Sequence, residues 1–254
     1  MTFCLALTVP GVSLAVADTR VSLAHDSAFR SCHDGPDDLT ICVTNPRHSF
    51  VVPFRFRKMQ PVSNGWVACA GHYLMGKAIL DLLSEHAADH FAPANRLLEQ
   101  EYTRLADSIH RRTGFGPEQL SDTVVMGAPF GLRPAAWTIS FDRHRGRTNP
   151  AIGSYVANWP QTVPVEVRRD AEGKLLRVFQ GLDGELSIGG LAKALVHLVA
   201  TAAEHAVEVG SYAQIGLTIG SSPAARESYY LQGKSAELLS VPEAQLSTRI
   251  ERLA

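Results

Sequence analysis

The stretch MTFCLALTVPGVSLAVADTR, residues 1–20, decides how this chain is read. Two apolar runs alternate on either side of Pro10-Gly11. In the first, Phe3, Leu5 and Leu7 alternate with Cys4, Ala6 and Thr8; in the second, Val12, Leu14 and Val16 alternate with Ser13, Ala15 and Ala17. A period of two is the signature of a strand, and Pro-Gly between two such runs marks a turn. A hairpin turning there sets Val9 against Val12, Leu7 against Leu14 and Leu5 against Val16. Thr2 and Asp18 then fall at the same end, within a residue of direct opposition, where cross-strand neighbours lie about 5 Å apart. Pro-Gly is not the favoured primed turn, so a bulge or a longer loop would shift this register by one.

A second reading competes for the same residues. Residues 3–17 are uncharged, and Ala15-Val16-Ala17 resembles the small-residue pattern of an export cleavage site. Against export, no Lys or Arg precedes the apolar run, and Pro10-Gly11 splits it in the middle. The hairpin is the reading carried forward.

The rest of the composition narrows the class. A chain of 254 residues is long enough to bury a sizeable core, in one large domain or two small ones. Its formal net charge of -1 offers no field for nucleic acid or an anionic membrane. No apolar run is long enough to span a bilayer. Cys4, Cys32, Cys42 and Cys69 are scattered without a CxxC pair, which reads as reduced thiols and a cytoplasmic setting. The cluster Cys32, His33, Asp34, Asp37, Asp38, Cys42 has no standard zinc spacing and reads as a solvated loop, so no metal is expected.

Residues 24–53 follow no clear period and read as a loop insertion, with a short strand at Thr40–Thr44. In PFRFRKM, period two places Phe54, Phe56 and Lys58 on one face. An ammonium on an apolar face is costly unless paired, so the chain must supply a carboxylate, and Asp18 is the nearest by strand logic. After a turn at Ser63-Asn64-Gly65, Trp66–Ala70 reads as a strand closing on Gly71. Ile79, Leu82, Leu83 and His86 predict one helix; Leu98, Tyr102, Leu105 and Ile109 predict another after a break at Pro93. Val124–Ala128 and Trp137–Phe141 read as strands, followed by the basic loop at 142–147. VEVRRDAEGKLLRVF reads as a hairpin turning at Glu172-Gly173. Leu191, Leu195, Leu198 and Ala202 mark a helix, Ile215–Ile219 a strand, and Ser240 with Pro242 opens a last helix carrying Leu246, Ile250 and Leu253. Strands and helices in blocks argue for α+β layering over a parallel βαβ fold.

These residues resemble a known family. MTFCLAL followed by ADTR, then RKM before a strand ending in Ala-Gly and a helix, resembles the proteasome β-subunits among the N-terminal nucleophile (Ntn) hydrolases, nearest their bacterial ancestral branch. The likeness covers about the first ninety residues well and is diffuse beyond them. It implies a single domain over 1–254, a four-layer αββα sandwich of two antiparallel sheets flanked by helices. It also implies a threonine-type peptidase or amide hydrolase, with Thr2 as nucleophile once Met1 is removed. Asp18, Lys58 and Gly71 match the remaining site positions. A Thr hydroxyl needs a base, and a free α-amine with a reference pKa near 8 can serve. The resemblance further implies assembly of identical copies into a ring or spiral, a peptide or unfolded-protein substrate, and an unfoldase as a partner.

The sequence also departs from the family. The connection from Asp18 to Lys58 is longer than usual. Where the family has an acidic or hydroxyl residue and a Ser before a Gly, HAVEVGSYAQIGL offers His205, Glu208 and, after Gly210, Ser211. A further family Ser corresponds either to Ser154 in AIGSY or to Ser187 in SIGG. These departures keep a second reading open, a proteasome-like scaffold or binding protein without turnover.

Overall fold

The computed structural model describes residues 3–19, 39–45, 48–54, 58–114, 120, 123–131, 135–142, 146–147, 151–180, 187–206 and 209–253. Strands β1 (Cys4–Val9) and β2 (Val12–Asp18) form the expected hairpin, with Leu5 opposite Val16, Leu7 opposite Leu14 and Val9 opposite Val12. The turn closes without a shift because Gly11 takes φ 80°, a left-handed conformation that glycine adopts without strain.

Both faces of this hairpin are dry, and its alternation sorts side chains by size. Leu5, Leu7, Val12, Leu14 and Val16 join a core shared with the helix Ile188–His205. Cys4, Ala6, Ala15 and Ala17 join a second core with Met59, Trp66, Ala68 and Met126. The large residues therefore meet helices, and the small ones let a second sheet approach closely. Successive strand side chains point to opposite faces, so one sequence pattern specifies both contacts.

The first sheet runs β11-β1-β2-β12-β13-β14, with β11 (Tyr155–Asn158), β12 (Tyr212–Ser222), β13 (Ala225–Lys234) and β14 (Glu251–Leu253). The second runs β10-β8-β7-β6-β5, with β5 (Met59–Val62), β6 (Gly65–Ala70), β7 (Thr123–Pro129), β8 (Ala136–Asp142) and β10 (Ala151–Gly153); β9 (Gly146–Arg147) pairs β8. All pairings are antiparallel. Helices α1 (Tyr73–Glu85) and α2 (Phe91–Thr113) cover the second sheet, burying Met75, Ile79, Leu83 and Leu98 against Val67, Trp137 and Ile139. Helices α3 (Val165–Phe179), α4 (Ile188–His205), α5 (Ser235–Ser240) and α6 (Glu243–Arg249) cover the first. This is the αββα sandwich expected from the sequence. No helix among the described residues is long and apolar enough to cross a membrane.

Several expectations are corrected. VEVRRDAEGKLLRVF is not a hairpin but α3, which buries Ala171 and Leu175 and packs Val167 and Val178 beside them. Those four positions follow i, i+4, i+8, i+11, a helical stripe that outweighs the β-branched ends. Pro93 does not precede α2 but sits in its first turn, where its missing N–H leaves no bond unmade. The strand at Thr40–Thr44 is longer, β3 (Leu39–Asn45), and pairs with β4 (His48–Phe54) as a two-stranded sheet. Phe54 and Lys58 do not share a strand, since β4 ends at Phe54 and Lys58 stands just before β5; Phe56 lies outside the described residues. The last helix ends at Arg249, so Leu253 falls in β14.

Candidate active site

The site forms at one end of the two sheets, where β2 stops, β5 begins and β6 ends. Asp18 closes β2 with no exposed surface. Its Oδ2 lies 3.0 Å from Lys58 Nζ and accepts the Gly210 N–H at 3.0 Å; its Oδ1 accepts the Phe3 N–H at 3.0 Å. The carboxylate is thus met by one ammonium and two backbone donors. A buried charge is tolerable only when paired and hydrogen-bonded in this way. Phe3 is itself fixed, since its carbonyl accepts the Asp18 N–H and its ring lies 4.6 Å from that of Trp159. Phe3 is the residue that follows Thr2; Thr2 lies outside the described residues.

Lys58 is as deeply placed as its partner, with 3% of its surface exposed. Its backbone joins both sheets: the Lys58 N–H donates to Gln214 Oε1 at 2.9 Å, and its carbonyl accepts the Cys69 N–H at 2.8 Å. Cys69 lies on β6 two residues before Gly71, and its own carbonyl accepts the Cys4 thiol at 3.1 Å. Gly71 follows the strand directly at φ 108°, a conformation that a side chain would strain. His72 follows at the start of α1, and burial pulls its imidazole down to about 4, so it is neutral at pH 7. Burial also pushes the Cys69 thiol up to about 12 and the Cys4 thiol well above its ordinary value, with each thiol's further neighbours secondary to that cause. Neither is a thiolate, so neither is a ready nucleophile.

The structure therefore brings Asp18 and Lys58 together, with Phe3 against Asp18 and Gly71 close by in sequence to Cys69. It does not bring His205 there: His205 is exposed at the end of α4. Glu208 lies outside the described residues, and Ser211 is exposed. From this segment the backbone N–H of Gly210 reaches Asp18. Neither candidate for the further Ser sits at this end. Ser154 offers its carbonyl to the Thr8 N–H near the far end of β1, and Ser187 caps α4 by accepting the Gly190 N–H. Ser187 also lines an open cleft of about 670 Å³ with Gly220, Arg226 and Arg252, at the Gly11 end of the sheet. Gln214, Gly210 and Phe3 are the site contacts that the sequence did not reveal.

No family model matches the sequence, and no curated protein matches it. Solved structures do. The Anbu (Gly-1) mutant from Hyphomicrobium sp. strain MC1 is 15% identical, with all of both chains covered and a TM-score of 0.51. Thiobacillus denitrificans BPH in complex with epoxomicin is 12% identical over 86% of this chain and 98% of that one, with a TM-score of 0.50. At such identities the likeness is one of fold. The chain shares the αββα sandwich fold of these solved structures.

Proposed function

We propose that this protein is a threonine-type Ntn hydrolase cleaving peptide or other amide bonds, with Thr2 as nucleophile once the residue before it is removed. The observation that carries the reading is the buried Asp18–Lys58 pair at 3.0 Å, with the amide of Phe3 bonded to the same carboxylate. A pair this deeply buried gains little stability by itself and is often replaceable by apolar residues. Its placement beside the residue that follows a small hydroxyl amino acid gives it a chemical use.

The Thr2 α-amine takes the proton of the Thr2 hydroxyl as Oγ1 attacks the scissile carbonyl carbon. Lys58, paired with Asp18 at 3.0 Å, favours the developing alkoxide. The Gly71 N–H serves the oxyanion of the tetrahedral intermediate, where the lack of a side chain allows close approach. The C–N bond breaks, the amine departs with the shuttled proton, and Thr2 carries an acyl ester. Water, deprotonated by the same amine, releases the acid and restores the hydroxyl. No step calls for a metal or an organic cofactor.

Such a nucleophile would be harmful to folded proteins in free solution. By likeness to the family, copies of the chain assemble into a ring or spiral that confines the sites in the cytoplasm, fed by an unfoldase. Thr2→Ala tests the mechanism: it abolishes turnover of fluorogenic peptides and leaves assembly unchanged, whereas equal turnover by the variant removes Thr2 from the reaction.

A second reading, a scaffold of the same fold without turnover, is favoured by one observation. His205, one of the residues in place of the family's usual support, is exposed at the end of α4. Retention of the residue before Thr2 in the purified protein would support that reading.

A further inference from the structure

Burying a carboxamide in a layer of Ala, Met and Trp is unfavourable unless its polar atoms are bonded. Gln214 does this on β12. It has no exposed surface and pairs with Ala17 across the ladder, beside the Ala213–Asp18 pair. Ala17 belongs to the core between the sheets, and Gln214, opposite it, shares that face. Two residues on, Gly216 occupies the same face, and a Cβ there would lie 2.3 Å from the Trp66 ring. Gln214 therefore stands in the layer between the sheets, beside Ala17 and in line with Gly216, and its Oε1 spans that gap to accept the Lys58 N–H at 2.9 Å.

We propose that Gln214 is a positioning residue for Lys58, a role that rests on the hydrolase reading above. Asp18 belongs to the first sheet, and Lys58 leads into β5 of the second. The ion pair thus joins two sheets whose relative placement decides its length. Gln214 ties the Lys58 backbone to the strand that flanks Asp18, so the ammonium meets the carboxylate from a fixed origin. A lysine side chain has four rotatable carbons and holds direction poorly unless its backbone is anchored. Loss of the anchor leaves the charge present but displaced from the nucleophile, and small displacements of this kind reduce rates about a hundredfold.

The test compares full-length wild type, Gln214→Met, which has similar length and no carboxamide oxygen, and Gln214→Glu, which keeps an oxygen at that position. The readouts are the rate of covalent labelling by an epoxyketone probe, its pH profile, and hydrogen exchange of the Lys58 amide. We expect wild type and Gln214→Glu to protect the Lys58 amide and Gln214→Met to expose it. Labelling by Gln214→Met is expected to slow roughly tenfold to a hundredfold, with its rise displaced to higher pH, and Gln214→Glu to recover most of the rate. Wild-type-like labelling and pH dependence in Gln214→Met overturn the proposal, as does equal impairment of both variants, which would mean packing alone. If Gln214→Met does not fold, fast exchange of the Lys58 amide in the wild type still overturns it, and slow exchange rescued in Gln214→Glu upholds the anchor. Failure of the wild type to react at Thr2 sinks the hydrolase reading separately, because amide exchange at Lys58 is measured without turnover.

Discussion

Asp18 and Lys58 are each inaccessible to water, and each depends on the other for tolerance in that setting. Removing one partner strands the other charge, so Asp18→Ala is expected to lower stability by about 3–5 kcal/mol. Replacing both with apolar residues, Asp18→Leu with Lys58→Met, is expected to lower it far less than the two single changes added, because no charge is then left unpaired. Denaturant unfolding of the three variants checks this; additive losses would show that the pair is not coupled. Activity should respond differently. Lys58→Ala is expected to reduce peptide turnover on the order of 10³-fold, the range for removing one group aimed at developing charge. A fully active variant would mean the wrong lysine has been identified. Gly71→Ala should also lose turnover, since φ 108° strains any side chain at that point.

Helix α3 separates what the sequence shows from what it hides. Its ends, VEV and LLRV, suggest strands, and Glu172-Gly173 suggests a turn between them. The stripe of Val167, Ala171, Leu175 and Val178 is the stronger signal, and it becomes visible only when the whole segment is tested against a 3.6 period. Gly173 sits inside that helix, and a methyl group there would meet no atom within 4 Å. Gly173→Ala is therefore expected to stabilise the protein by about 0.5–1 kcal/mol; a turn would be destabilised instead, and thermal unfolding decides. Hairpin β1–β2 was legible because turn and alternation agreed; the cost of an unpaired ammonium pointed Lys58 to Asp18, although Lys58 does not lie on the strand face with Phe54 from which that was argued. Gln214 was not legible, since a lone polar residue has no period and its partner is a backbone N–H 156 positions away. Strand β13 was missed because ARESYYLQGK is mostly half-exposed and shows no clean alternation. At the start of α1, His72 carries a pH dependence of stability. Its imidazole titrates near 6.5 when unfolded and at about 4 when folded, so the unfolded chain binds more protons between those values. Stability from His72 is complete above 6.5 and is lost as pH falls toward 4. His197, held down by burial and by Lys174, adds to the same trend. His72→Gln is expected to flatten part of the decline in unfolding temperature over that range; an unchanged slope would place the titration elsewhere.

Across the whole molecule, the sandwich depends on two sheets approaching closely enough for residues of one to complete a site on the other. Small residues make this possible: Ala and Cys face inward from β1 and β2, and Gly216 makes room for Trp66, whose indole N–H donates to Thr218 Oγ1 at 3.0 Å. Gly216→Ala is expected to push the sheets apart, costing about 1–3 kcal/mol and slowing turnover at a site it does not touch. Loss of stability with undiminished turnover per folded molecule would show that the site is insensitive to sheet spacing. Catalysis by this site depends on the mature N-terminus, because Thr2 must carry a free amine to act as base. The most direct measurement is the intact mass of the purified full-length protein before and after an epoxyketone such as epoxomicin, with the modified residue located by fragmentation. The account predicts a chain beginning at Thr2 that gains one probe per subunit on that residue. A chain that still carries Met1, or a probe adduct on any other side chain, would contradict it.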